Sequence, residues 1–205
     1  MAQWLLVRHG ETEWNSEGRM QGHSPTGLSE TGVRQGQLLA ERLKDTELDA
    51  IHCSDMPRAR NTAEMIAAGR GLEVHMTSDL RERSYGQWEG MTRQEIREGY
   101  PEEYAQWRQG TEQFAPPDGE SLIDVLARQA RLTEELRGTY PGDQTIALIG
   151  HGGGFLTLAV SMLGVPMSLR SRFSLNNASI SILQVSEDRA VLERWNDISH
   201  WEGKL

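Results

Sequence analysis

Residues 4–15 read WLLVRHGETEWN. Trp4-Leu5-Leu6-Val7 is a short apolar run of the kind a buried strand supplies, and such runs ordinarily end in neutral turn residues. This one ends in Arg8, His9 and Gly10. Far along the chain the pattern returns: TIALIGHGGGF, 145–155, carries an apolar run into His151 and Gly152. Two strands thus leave the core and at once present an imidazole. Working outward, Ala50–Cys53 and Leu72–Met76 are further strand candidates beside Trp4–Val7 and Thr145–Ile149. Helix-like stretches lie between them: LSETGVRQGQLLAERLK with Ser29 as cap, MPRARNTAEMIAAGRG, and GESLIDVLARQARLTEELRG. In the last, Leu122, Val125, Leu126, Gln129, Leu132 and Leu136 recur mostly at three- and four-residue steps, as one helical face requires. Strand and helix in alternation predict an α/β three-layer sandwich, a mostly parallel central sheet with helices on both faces. The tail ASISILQVSEDRAVLERWN reads as two strands around a tight turn, an antiparallel C-terminal edge.

The 205 residues are expected to form one domain, 1–205, with QFAPPDGES (113–121) as a junction inside it. A formal charge of −9 argues against nucleic acid or an anionic membrane as partner. It also means that any anionic ligand must be met by a local positive site. Cys53 is the only cysteine, which excludes an intrachain disulfide and a cysteine-based metal centre. No apolar run is long enough to span a bilayer, and MAQWLLVRHG lacks the length of a secretory leader. A cytoplasmic location is expected.

In open parallel sheets, ligands bind beyond the carboxyl ends of the strands. The two His-Gly pairs would meet there. Gly152-Gly153-Gly154 allows close approach of backbone, and the helix that follows offers free N–H groups to an anion. The strand Ala50–Cys53 runs into SDMPRARNTAEM, which places Arg58 and Arg60 at the start of a helix on the same side of the sheet. Guanidinium forks suit phosphate or carboxylate. Arg8, Arg58, His9 and His151 would then form an anion pocket in an acidic protein.

Arginine neighbours pull an imidazole below its usual pKa of about 6.5, which leaves a lone pair free to attack phosphorus. They also bear the charge that spreads over the transferring phosphoryl oxygens, an effect worth roughly 10³–10⁵ in rate. Neither an HExxH nor a Walker motif is present to bring in a metal. The departing alcohol needs a proton, and an ordinary glutamic acid is protonated only about one time in 500 at pH 7. Glu82 and Glu11 both satisfy the topology, and Glu89 lies nearby.

RHGETEWN, SDMPRARNTAE, LRERSYGQWEG and IGHGGG occur in the order and approximate spacing of the histidine phosphatase superfamily, and the chain resembles its phosphoglycerate-mutase-like branch. The likeness extends to GLSETGVRQGQLLAERL, PPDGES, NNASIS and NDISHW, nearly the whole chain. It implies that His9 is the nucleophile that becomes phosphohistidine. Arg8, Arg58 and His151 complete the phosphate pocket, with Asn15, Gln21, Gly22 and Gly152 as further contacts and Tyr85 and Arg93 towards the rest of the substrate. Glu82 is implied as the proton donor that later activates water. No metal is required, and 2,3-bisphosphoglycerate would be a cofactor only of a mutase. The mutases of the branch carry an extra segment between the WRxG region and the ESL helix. Here WRQGTEQFAPPDGESL passes almost directly across, and Gln109 stands where a basic residue is usual beside Arg108. A shorter rim admits water and holds a carboxylate less well, so hydrolysis is expected. Tyr85 retains the mutase pattern.

The expectation is a metal-independent phosphomonoesterase acting on a small-molecule phosphate ester, with substrate selection in the region 84–118. A mutase using the same residues, a non-catalytic module that holds a phosphorylated ligand, and a metal hydrolase ligated by His9 and His151 are the alternatives. A homodimer is compatible with the sequence. Arg60, His23, His52, His75 and His200 carry no expected role in the chemistry. Trp88 and Trp107 are assigned to packing.

Overall fold

A computed structural model describes residues 1–205, all of the chain. Six strands form one sheet: β1 (Ala2–Arg8), β2 (Ala50–Ser54), β3 (Val74–Thr77), β4 (Thr145–Gly150), β5 (Ile180–Val185) and β6 (Ala190–Asp197). Their order is β3-β2-β4-β1-β5-β6. β3, β2, β4 and β1 run parallel, while β5 and β6 are the antiparallel edge expected from the tail. Seven α-helices connect them: α1 (Glu13–Ser16), α2 (Glu30–Leu43), α3 (Pro57–Ala67), α4 (Arg93–Gly99), α5 (Pro101–Gln109), α6 (Leu122–Thr139) and α7 (Gly152–Met162). The third strand starts two residues later than its apolar pattern suggested, because Leu72 packs at the approach to β3 and not within it.

The opening stretch sets the layers. Side chains alternate across a strand, so Trp4 and Leu6 point to one face and Leu5 and Val7 to the other. Trp4 and Leu6 pack with Leu132 and Leu136 of α6 and with Phe155 and Leu158 of α7. Leu5 and Val7 pack with Leu39 of α2 and with Ala59, Ala63 and Ile66 of α3. Both faces are dry, which is why the strand reads as continuous apolar residues. Each large side chain buried in this way contributes about 1.5–3 kcal/mol.

The helix starts follow from short polar signals. Ser29 caps α2 by accepting from the Gly32 N–H, and Ser121 with Asp124 forms a reciprocal capping box on α6. Pro57 opens α3, where its missing N–H costs nothing. The region 84–118 is built from a 3₁₀ turn (Gly86–Trp88), α4 and α5. Trp88 is fully buried in it, meeting Trp107 edge to face and lying tilted against Phe114, while Trp107 itself is only half-buried. No helix is long and apolar enough to cross a membrane.

Candidate active site

β1 and β4 are adjacent, parallel and in register, with Arg8 opposite Gly150. The residues that follow, His9 and His151, therefore emerge side by side, their ring centroids 5.1 Å apart. Neighbouring strands lie about 4.7–4.9 Å apart, so pairing alone brings the rings together. β2 ends beside them in Ser54, and α3 delivers Arg58 one turn later. These groups open into a cavity of about 600 Å³ at the carboxyl end of the parallel strands. Its lining includes Arg8, His9, Asn15, Gln21, Arg58, Glu82, Tyr85, Arg93, His151 and Gly152.

His9 is buried, and its Nδ1 lies 2.6 Å from the Gly10 carbonyl. A carbonyl only accepts, so Nδ1 carries the proton and Nε2 keeps the lone pair. Burial first, then Arg58 and Arg8, push the His9 pKa well below its ordinary value. The ring is neutral at pH 7. His151 is shifted the same way, by burial first and then by Arg58, His9 and Arg8. Arg58 Nε donates to His151 Nδ1 (3.2 Å), which leaves His151 Nε2–H to donate to Ser54 Oγ (2.9 Å). Both nitrogens of His151 are thus engaged, and only His9 presents a bare one.

The two arginines are unusual in what they lack. Arg58 is fully buried, yet it donates only to the carbonyls of Gly22 (2.8 Å) and Ser24 (2.9 Å), to Thr26 Oγ1 and to His151. Arg8 donates to the Leu175 carbonyl, and its buried Nε has no partner. Neither makes an ion pair within 4.0 Å. Burial lowers both pKa values, that of Arg58 to about 10. Arg58 also sits in the first turn of α3, where the helix dipole disfavours a cation. A buried charge without an ion-pair partner costs several kcal/mol, offset here only in part by Glu82 and, for Arg58, Glu89 at longer range. An anion arriving in the cavity removes that cost.

Two amides are aimed by their oxygens. Asn15 Oδ1 accepts from the Thr12 N–H (3.1 Å) and from Asn177 Nδ2 (3.1 Å), so its NH₂ group is left for the cavity. Gln21 Oε1 accepts from Thr26 Oγ1 (2.7 Å) and lies 3.0 Å from Thr12 Oγ1, with the same result. Asn177 also donates to the carbonyls of His9 and Gly10. Two glycines of GHGGG sit where a side chain would crowd the site's own groups. A Cβ on Gly152 would lie 3.2 Å from Arg8 Nε, and one on Gly153 would lie 2.5 Å from Glu82 Oε1.

Of the three candidate acids, the fold brings one to the cavity. Glu82 Oε2 accepts from the Gly153 N–H (2.8 Å) and Oε1 from the Arg83 N–H (2.9 Å). Glu89 is consumed in holding the loop, accepting from His23 N, Ser24 Oγ and Tyr85 N. Glu11 accepts from Ser29 Oγ and does not line the cavity. Gly22, expected among the phosphate contacts, has another role in the structure. It lies outside the lining, and a Cβ there would collide with the Glu89 carboxylate; its carbonyl holds Arg58. His23, expected to be structural only, has its Nε2 3.0 Å from the Glu82 carbonyl. The mouth also contains Trp14, Arg19, Met20, Thr92 and Gln94, which carried no functional signal beyond proximity to the motifs. Arg93 lies at the mouth with its guanidinium 5.9 Å from the Trp107 ring centroid, and it has no ion-pair partner within 4.0 Å.

Comparison with known proteins agrees with this geometry. The model of the histidine phosphatase superfamily, branch 1, matches residues 4–198. The chain is 36% identical over 200 residues to phosphoserine phosphatase 1 of Hydrogenobacter thermophilus, covering 98% of this chain and 94% of that one. It is 34% identical over 205 residues to phosphoglycerate mutase-like protein 4 of Arabidopsis thaliana, covering 98% and 87%. A solved structure of a mycobacterial glucosyl-3-phosphoglycerate phosphatase with VO3 superimposes with a TM-score of 0.86 at 34% identity, covering 95% and 98%.

Proposed function

Since this chain belongs to the histidine phosphatase superfamily, we propose that it is a phosphatase whose His9 accepts the phosphoryl group of a small phosphomonoester that carries a second anionic group. One observation supports this most: two guanidiniums, Arg58 fully buried and Arg8 half-buried with a buried, unpartnered Nε, that have no carboxylate within 4.0 Å, beside an imidazole whose Nε2 is bare. They would grip the phosphate dianion together with the amides of Asn15 and Gln21. His9 Nε2 attacks phosphorus, the P–O bond to the alcohol breaks, and Glu82 gives the departing oxygen its proton. Water then attacks the phosphohistidine. Glu82, now ionised, takes the water's proton, and the P–N bond electrons return to Nε2 as phosphate leaves. Covalent transfer in two steps suits a nucleophile that is not the final acceptor.

The charge that a metal would offset is carried by the arginines. No group of three or more metal-ligating side chains occurs in the structure. The second anionic group is supported by Arg93, a cation at the mouth with no carboxylate of its own. Tyr85, Thr92, Arg93 and Gln94 of the region 84–118 lie at that mouth, together with Trp14, Arg19 and Met20, which supports a part for the region in selection.

The test is phosphate release from a panel containing phosphoserine, 3-phosphoglycerate, a sugar phosphate and a nucleotide, with and without EDTA. Release of phosphate from the doubly anionic esters, unaffected by EDTA, is expected. Rapid quench with labelled ester should trap an acid-labile, alkali-stable phosphoenzyme that His9→Ala lacks while melting like the parent. A phosphoenzyme that persists in His9→Ala would overturn the nucleophile. Fast 2-phosphoglycerate formation from 3-phosphoglycerate with added 2,3-bisphosphoglycerate and little free phosphate would make the protein a mutase.

A further inference from the structure

Glu82 belongs to neither a helix nor a strand. It lies between the 3₁₀ turn Ser78–Leu80 and the turn Gly86–Trp88, in a stretch without regular hydrogen bonding. A proton donor needs placement to a fraction of an ångström, and such loops do not supply it by themselves. The structure shows what does. Arg128 projects from α6 and is 7% exposed. Its Nη1 donates to the carbonyls of Asp79 (2.8 Å) and Arg81 (2.9 Å), and its Nη2 to the carbonyl of Glu82 (3.0 Å). One planar fork therefore gathers three carbonyls of a four-residue stretch.

Arg128 is itself held. Its Nε lies 3.1 Å from Glu120 Oε1 and its Nη2 3.2 Å from Glu120 Oε2. Glu120 Oε2 also accepts from the Ser84 N–H (2.8 Å), so the same carboxylate clamps the far side of Glu82. His23 Nε2–H adds a second donor to the Glu82 carbonyl at 3.0 Å. None of these groups except Glu82 lines the cavity.

We propose that Arg128, oriented by Glu120, is a positioning residue that sets the Glu82 carboxyl against the leaving oxygen, so that it controls proton delivery to the departing alcohol and not phosphate capture. This rests on the reading of Glu82 as proton donor. It makes a prediction that general support of the fold does not. An aryl ester such as 4-nitrophenyl phosphate expels an acidic phenol and has little need of a proton. An alkyl ester expels a strongly basic alkoxide and depends on one. Displacing the acid should therefore change the ratio of the two rates.

The experiment measures kcat/KM for 4-nitrophenyl phosphate and for the alkyl ester turned over fastest in the panel above, in the parent, Glu82→Gln, Arg128→Met, Arg128→Lys and Glu120→Gln. Glu82→Gln should lower the alkyl-to-aryl ratio by about 10² or more. Arg128→Met should lower it by about tenfold to a hundredfold, the cost of misplacing a group by roughly 1 Å. Arg128→Lys keeps the charge but loses the planar fork, and should fall between parent and Met. Glu120→Gln should move the ratio in the same direction. If Arg128→Met is insoluble, the Lys and Glu120 variants decide alone, with turnover of the aryl ester reporting that they are folded. Equal losses on both esters, or none, while Glu82→Gln remains selective, would sink the positioning role. A Glu82→Gln enzyme with an unchanged ratio would remove the proton donor, and the proposal with it.

Discussion

Asn15 shows how a single side chain acquires direction. Its amide has two ends, and nothing in GETEWN says which faces outward. The Thr12 N–H and Asn177 Nδ2 both point at Oδ1, and that settles it. Replacing Asn15 by Asp turns the outward donor into an acceptor carrying negative charge. Loss of one hydrogen bond to a charged group costs about 1.5–3 kcal/mol. Inorganic phosphate should therefore inhibit Asn15→Asp at concentrations about tenfold to a hundredfold higher, a shift read from Ki. An unchanged Ki would place Asn15 outside the phosphate shell. His9 follows the same logic, since its tautomer is decided by the carbonyl of the next residue, Gly10, and only the folded backbone aims that carbonyl.

At the scale of elements, the tip of β1 is held against α2. Glu11 N donates to Gln35 Oε1, Ser29 N donates to the Glu11 carbonyl, and Gly10 N donates to Thr62 Oγ1 of α3. Gly32 is where α2 comes closest. A Cβ there would lie 1.9 Å from the Glu11 carbonyl oxygen, which is backbone and has no room to yield. Gly32→Ala should destabilise the fold by about 1–3 kcal/mol, the usual cost of overpacking. The check is the urea midpoint, and a midpoint within error of the parent would show that α2 can slide. Three- and four-residue spacing made α6 readable in advance, and the Ser29 cap marked the start of α2. The identity of each close approach was not readable, because Gly32 and Glu11 are neighbours only after the helix has packed.

The whole molecule stores several histidines in their neutral form. His52 accepts or donates to Tyr140 Oη at 3.0 Å and stacks 5.0 Å from His75. Burial, then His75, lowers its pKa to about 4 from 6.5. His9 and His151 are also lowered well below their ordinary value, by burial first and then by the arginines. In the unfolded chain these rings take protons below about pH 6.5. Between that value and the folded pKa the unfolded state binds more protons, so stability falls as pH falls. The loss begins near 6.5, and the share of His52 is complete near 4. Urea midpoints at pH 7.5 and pH 5 should differ, with the lower value at pH 5, and His52→Gln should narrow the gap. Equal midpoints would contradict neutral burial of these rings.

Local properties of the chain were enough for much of this protein. Alternating strands and helices, the two His-Gly exits and the arginine after the second strand depend on residues close in sequence, so the layers and the place of the pocket could be read directly. Register then followed, since Arg8 pairs with Gly150. Which of Glu11, Glu82 and Glu89 faces the cavity depended on bonds between distant segments, such as Gly153 to Glu82 and Arg128 to Glu82. The absence of an acidic partner for Arg8 and Arg58 was equally a matter of tertiary packing. Hydrogen bonds across tens of residues form only when the layers close, and no periodicity encodes them.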